Sequence, residues 1–162
     1  MTMEITLETQ AGALLQEKGY TVGTAESCTG GLIMHRLTNV AGSSGYVLGG
    51  VVAYANAVKQ NVLKVQESTL ITHGAVSVAC AEEMAQGLRA LLQVDFALSV
   101  TGIAGPGGGT AEKPVGLTYI GIAGPDGLLS VEKHIWPGPR EAVKNASADA
   151  ALRLLIKHLS AM

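Results

Sequence analysis

The sequence predicts an α/β protein, a three-layer α/β/α sandwich around a mixed, mostly parallel sheet. Three observations carry that expectation. Segments with apolar residues at helical spacing alternate with short β-branched runs through the first hundred residues. Two late runs, Val115–Ala123 and Leu128–Trp136, flank the turn residues GPDG and read as an antiparallel hairpin. Apolar residues make up 48% of the chain but aromatics only 4%, so the core has to be assembled from Val, Ile, Leu and Ala, as buried parallel sheets are. A length of 162 residues suits one domain, taken as 1–162.

The elements follow in order. Residues 4–18 place Ile5, Leu7, Ala11, Leu14 and Leu15 at helical spacing, and Gly19 suits the residue just past a helix end. Tyr20–Ala25 reads as a strand that runs directly into ESCTGG, and LIMHRLTNV reads as the next helix. Ala41–Gly45 is a turn. Tyr46–Tyr54 is a β-branched, Gly-rich strand expected to be covered on both faces. Asn56 is a candidate cap for a helix over Ala57–Leu63, and Glu67–Thr72 is one short helical turn. Ser77 caps a long helix over 78–92, with Arg89 near its end. Asp95–Thr101 is a buried strand that ends in GIAGPGGG. Arg140–Leu159 is a final amphipathic helix whose apolar face carries Ala142, Val143, Ala146, Ala150, Leu154 and Leu155.

Charge and composition exclude several classes of function. The formal net charge is −2 and no Lys/Arg run occurs, so there is no field to hold a nucleic-acid backbone. Two cysteines, Cys28 and Cys80, make neither a disulfide framework nor a zinc site. His35, His73, His134 and His158 lack metal-ligand spacing, so neither a metal nor a cofactor is expected. The opening MTMEITLETQ has no basic and apolar leader pattern, and no stretch approaches the ~18 apolar residues that span a bilayer. The expected location is cytoplasmic, with no membrane partner.

Ligands of an α/β sheet gather where loops leave the carboxyl ends of strands. Three such loops stand out: Glu26–Gly31, Tyr54–Lys59 and Thr101–Gly109. The first sets Ser27 between a strand and a helix, where negative charge is favoured, and Thr29, Gly30 and Gly31 could offer N–H groups to an oxyanion. The G-x-S-x-G elbow pattern is absent, and Ser27 could equally be no more than the cap of that helix. A serine nucleophile needs a base, and no histidine lies in these loops. Lys59 follows a buried strand among Ala55, Ala57 and Val58, where burial would favour a neutral amine. A solvated helix lysine is the alternative. Cys28 is a second candidate nucleophile, although cysteines are often simply buried. TGIAGPGGG can present several N–H groups to an anion but matches neither GxxxxGK[ST] nor GxGxxG. Arg140 opens the last helix and could grip a phosphate or carboxylate, or lie free on the surface.

The runs TAESCTGGLI (24–33), LTNVAGSS (37–44), GGVVAYANAVK (49–59), HGAVS (73–77), EMA (83–85), TGIAGPGGG (101–109) and EKPVG (112–116) together resemble the CinA C-terminal domain family over nearly the whole chain. The resemblance implies a metal-independent amidohydrolase that deamidates nicotinamide mononucleotide to nicotinic acid mononucleotide and ammonia in pyridine-nucleotide salvage. By the family's motifs Ser27 and Lys59 would be the catalytic dyad, with Tyr54 beside them. Cys28, Thr29, Gly30, Gly31, Asn56, Thr101, Gly102, Gly105 and Arg140 would bind or orient the substrate. The implied partner is a small-molecule nucleotide, and a homodimer is expected. Ala55, Val78 and Pro139 depart from the family's usual residues. Two rival readings use the same residues without chemistry, as a nucleotide-binding module or as an oligomerisation domain.

Overall fold

The computed structural model describes residues 4–162. Five strands form one sheet in the order β2-β1-β3-β4-β5, with β1 Val22–Glu26, β2 Val47–Val52, β3 Phe96–Gly102, β4 Leu117–Ala123 and β5 Leu129–Ile135. β1 pairs in parallel with both β2 and β3, whereas β3–β4 and β4–β5 are antiparallel. Four strands therefore run one way and β4 alone runs against them. Among the described residues six α-helices complete the fold: α1 Leu7–Lys18, α2 Leu32–Thr38, α3 Asn56–Asn61, α4 Glu67–Thr72, α5 Val78–Leu92 and α6 Arg140–Ser160.

The sheet separates two cores. On one face α1, α2 and α6 cover Val22, Phe96, Leu98, Val100, Ile120 and Ile122. On the other, α5 lies over Ala25 and Ala97, with Leu63, Val65, Met84 and Leu88 filling the layer. Small residues on that second face let α5 approach closely. Ser99 donates from Oγ to the Ala81 carbonyl at 2.7 Å, and a Cβ on Gly121 would stand 3.0 Å from the same oxygen. The β1→β2 connection thus covers one face and the β2→β3 connection covers the other. Right-handed crossovers in opposite directions require this. The loops leaving β1, β2 and β3 consequently part at the carboxyl edge and open a crevice there.

Local chemistry explains most boundaries. Thr6 accepts from the Thr9 N–H and caps α1, while Gly19 closes it in the left-handed region at φ 71°. Ser77 accepts from the Cys80 N–H and caps α5. Pro125–Gly127 turns the hairpin, with Asp126 and Gly127 at positive φ.

Several expectations need correction. Ile5 precedes the cap of α1 and is exposed rather than on its apolar face. β2 is an edge strand, not one covered on both faces: alternate residues face solvent, and Leu48 and Val52 are about half exposed (52% and 51%). Asn56 is the first residue of α3, not its cap. Ala55 holds the cap position, and the helix stops at Asn61. The buried stripe of α6 runs through Val143, Ser147, Ala151, Leu154 and Leu155, leaving Ala142 and Ala146 at its margin. Pro139 stands at the α6 cap without shifting the helix start, and Val78 is the first residue of α5, half exposed. No helix among the described residues is long and apolar enough to cross a membrane.

Candidate active site

Parallel pairing brings the ends of three strands side by side, since Glu26 of β1 stands opposite Val52 of β2 and Val100 of β3. The residues that follow must be neighbours. Ser27 continues the ladder through its N–H to the Val100 carbonyl at 2.9 Å, and Ala53 does so through its N–H to the Glu26 carbonyl at 2.8 Å. Ser27 therefore sits at the centre of the crevice, with Tyr54–Lys59 on one side and Thr101–Gly109 on the other.

α3 turns back beneath the end of β1 and carries Lys59 inward. The Lys59 side chain is 2% exposed, among the largest fully buried side chains in the molecule. Its Nζ lies 3.0 Å from Ser27 Oγ, 2.8 Å from the Ala53 carbonyl oxygen and 3.2 Å from the Tyr54 carbonyl oxygen. No carboxylate pairs with it among the described residues. Burial lowers its pKa from the ordinary lysine value, because a dry pocket disfavours the ammonium form. Nζ donates to the two carbonyls and to Ser27 Oγ; once deprotonated, the same amine could accept the Ser27 hydroxyl proton. The pocket walls thus orient the amine toward the alcohol.

Ser27 is not the cap of α2. Gly31 occupies the cap position in the left-handed region and offers no side chain. The free N–H groups of the helix are taken by Glu26, a residue the sequence reading passed over. Its carboxylate is fully buried and accepts from Ile33 N (2.9 Å), Met34 N (3.0 Å), Thr29 Oγ1 (2.7 Å) and Thr24 Oγ1 (3.1 Å). It clamps the end of β1 to the start of α2 and so fixes the turn that presents Ser27. The signal was present as an acidic residue directly ahead of a helix start. Glu26→Gln should cost about 2–3 kcal/mol of stability, because one amide group then faces donors it cannot accept from. Thermal and urea unfolding of the variant check this; a loss below half a kcal/mol would contradict the clamp.

A cavity of about 290 Å³ opens on the pair and is lined by Ser27, Cys28, Tyr54, Ala75, Val76, Thr101–Gly105, Gly107, Gly108 and Arg140. Thr101 Oγ1 donates to the Ala75 carbonyl at 2.8 Å and is spent on holding the wall. Gly105 has φ 80°, and a Cβ there would collide with Val115 Cγ1, so glycine suits the position. Arg140 spans the mouth, donating to the Gly105 carbonyl at 2.7 Å and to Tyr54 Oη at 3.0 Å. Tyr54 is otherwise largely exposed.

The structure divides the remaining site residues. Gly30 spends its N–H on the Ser27 carbonyl at 3.1 Å and is no oxyanion donor. Thr29 and Gly31 do not line the cavity, and Asn56 is exposed outside it. Within the turn, Cys28 borders the cavity and its N–H bonds to no other backbone group among the described residues. The Cys28 side chain, 5% exposed, packs in the apolar core, and burial pushes its thiol up to about 11. A buried thiol held in its neutral form is a poor nucleophile, and with its place in the core this argues against Cys28 in that role. Cys28→Ala should keep turnover within a few-fold of the parent and lose about 1 kcal/mol of stability from the small void. A variant that folds but releases no product would restore Cys28 as a candidate.

A larger hollow of about 490 Å³ lies at the opposite edge of the sheet, bordered by Arg89 and Asp95. Its two charged groups are engaged locally, with Arg89 Nε on the Asp95 carbonyl and Asp95 Oδ2 accepting from the Thr21 N–H and hydroxyl. It holds no nucleophile.

Fold and site together define an α/β sandwich domain with a buried Ser–Lys pair at the carboxyl ends of its parallel strands, walled by a glycine-rich loop. Residues 4–159 match the CinA C-terminal domain, and the chain belongs to that family. It is 49% identical over 157 residues to a CinA-like protein of Acaryochloris marina, covering 96% of this chain and 38% of that protein. A putative competence-damage inducible protein of Halothermothrix orenii is also 49% identical, over 156 residues, with the same 96% and 38% coverage. The chain thus spans 38% of the length of these curated relatives. Among solved structures, a CinA superfamily protein from Klebsiella pneumoniae superposes with a TM-score of 0.92 at 33% identity, covering 96% of this chain and 97% of that one. A competence/damage inducible protein from Agrobacterium tumefaciens gives 0.90 at 41% identity and 99% coverage of both chains.

Proposed function

We propose that this domain is an amidohydrolase that uses Ser27 as nucleophile and Lys59 as base to convert nicotinamide mononucleotide to nicotinic acid mononucleotide and ammonia. The observation that carries the reading is the buried contact of 3.0 Å between Lys59 Nζ and Ser27 Oγ, with Ser27 lining an open cavity. The partners of the buried amine are two carbonyls and the Ser27 hydroxyl with no counter-ion, so burial favours its neutral, basic form. The nicotinamide substrate rests on the family resemblance, and its amide and anionic end suit a cavity with a nucleophile inside and Arg140 at the mouth.

In this mechanism Lys59 accepts the Ser27 proton as Oγ attacks the carboxamide carbon. The N–H of Cys28 faces the developing oxyanion; a donor of this kind contributes ~3–4 kcal/mol to lowering the barrier. The resulting ammonium returns its proton to the nitrogen as the C–N bond breaks and ammonia leaves. Water then attacks the acyl ester, gives its proton to Lys59, and the acid product departs as Ser27 is restored. Tyr54, tied to Arg140, closes the outer wall.

The test is ammonia release by the purified chain from nicotinamide mononucleotide, with the acid product followed by chromatography. Stoichiometric ammonia and nicotinic acid mononucleotide are expected. No release between pH 7 and 9 would end the proposal.

A further inference from the structure

The sequence runs HGAVS (73–77), EMA (83–85) and EKPVG (112–116) supply neither nucleophile nor base, yet the structure links them into one chain of contacts behind the dyad. Glu83 of EMA, on α5, accepts from Thr69 Oγ1 at 2.8 Å and from the Gln66 N–H at 3.3 Å and so holds α4. His73, the first residue of HGAVS, stands at the end of α4. Lys113 of EKPVG reaches across from the glycine-rich loop and donates from Nζ to the His73 carbonyl at 2.6 Å. The approach is close, since a Cβ on Gly74 would stand 3.0 Å from the same Nζ.

The His73–Ser77 segment is a thin wall. Val76 borders the cavity of Ser27 on one side and a hollow of about 430 Å³ on the other, so little packs behind it. His73, Gly74, Ala75 and Val76 are not buried. Hydrogen bonds therefore fix where this wall stands. Thr101 ties its inner end through the Ala75 carbonyl, and Lys113 ties its outer end through His73. The facing loop is as bare. Residues 106–112 are exposed, and a Cβ on Gly107 would meet nothing within 4 Å. Gly105, Gly107 and Gly108 of that loop line the cavity. A local turn, with the Thr110 N–H on the Lys113 carbonyl at 2.7 Å and the Lys113 N–H on Thr110 Oγ1 at 2.9 Å, is the base from which the lysine side chain crosses. Lys113 forms no ion pair among the described residues, although Glu82 borders the same outer hollow.

We propose that Lys113 is a positioning residue: by clasping the glycine-rich loop to the His73–Ser77 wall it sets the width of the cavity above Ser27, and with it the affinity for substrate rather than the rate of the chemistry. The identity of the substrate rests on the hydrolase reading. Ser27 and Lys59 are fixed without the clasp, by the ladder bond to Val100, the Glu26 carboxylate and the carbonyls of Ala53 and Tyr54. A loosened wall leaves those groups in register. It lowers the fraction of molecules whose walls stand at the spacing the ligand needs, and apparent affinity falls by that fraction. An ammonium on a carbonyl is a charge-assisted bond, stronger than a neutral one and suited to hold two otherwise unsupported segments.

The test compares the full chain with Lys113→Met, which keeps the length of the side chain but cannot donate, and with Lys113→Arg, which can. Three quantities are read: ammonia release from nicotinamide mononucleotide, calorimetric binding of that nucleotide in a Ser27→Ala background, and amide exchange by NMR. The informative amides are those of His73, Gly74, Thr110 and Lys113, all bonded in the parent. Lys113→Met is expected to raise KM and Kd about tenfold while kcat stays within about threefold. Exchange at the four amides should quicken about tenfold, with the β3 amides unchanged as the control for folding. Lys113→Arg should restore affinity and protection together. Unchanged KM and Kd, a fall in kcat alone, unchanged exchange at the four amides, or no rescue by arginine would overturn the clasp. The two readings fail separately. Faster exchange and weaker nucleotide binding in Lys113→Met, without ammonia release by the unsubstituted chain, keep the clasp and remove the hydrolase. Normal turnover with the same KM in Lys113→Met does the reverse, and a nucleotide that neither binds nor reacts removes both.

Discussion

Ser27→Ala is expected to lower kcat for amide hydrolysis by at least ~10³-fold, since losing the nucleophile removes the covalent route altogether. The fold should tolerate the change. Ser27 Oγ has one partner, Lys59 Nζ, and that amine keeps two carbonyl oxygens when the hydroxyl is gone. Its own main chain is held by the bond to Val100, which the substitution does not touch. Ligand affinity should therefore stay within a few-fold while turnover collapses. That split between binding and rate is what distinguishes a nucleophile from a wall residue. Ammonia release close to that of the parent enzyme would dispose of the acyl-enzyme mechanism.

Lys59→Met is expected to be almost as damaging, with turnover reduced by ~10³-fold, because methionine fills the space but carries no basic nitrogen. The pH dependence adds a second readout. Only the neutral amine can accept the Ser27 proton, so kcat/KM should rise with pH and level off below the ordinary lysine value of 10.5, as burial holds the pKa down. The linked effect on stability has a definite sign. Between the depressed folded value and 10.5 the unfolded chain binds a proton that the folded chain does not. Stability contributed by this site is thus lost as pH falls through that window and recovered as pH rises. The methionine variant should lack both the rising limb of the rate profile and this share of the stability slope. A rate profile in the variant that keeps the same rising limb would mean that another group is the base.

How far the sequence led can be judged residue by residue. The boundaries of α4 and α5 and the hairpin of β4 and β5 were legible because their signals are local: Ser77 as a cap, the turn at Pro125–Gly127, and apolar spacing between them. The dyad was legible only as two candidates. Ser27 and Lys59 are 32 positions apart, and nothing in their spacing encodes the parallel pairing of β1 with β2 that brings them together. Family motifs supplied that pairing, not periodicity. β2 was misread as a covered strand because Gly49 and Gly50 obscure the alternation that marks an edge, and strand order is a tertiary property. Glu26 escaped notice because a buried acid is indistinguishable in sequence from a solvated one until its donors are located. Gly30 was assigned to the oxyanion for its position, while its N–H had a nearer use in closing the turn.

Lys59 is surrounded by three oxygens, none of them a carboxylate. In the proposed mechanism the working form of this floor is the one with a neutral amine, and burial shifts the balance toward it. Charge appears only when the proton moves. In the proposed mechanism cation and oxyanion would then arise together a few ångströms apart, in a medium that screens them little, each serving as the other's counter-ion at the crest of the barrier. A permanent acid beside the lysine would have stabilised the ammonium beforehand and spent that attraction on the resting enzyme.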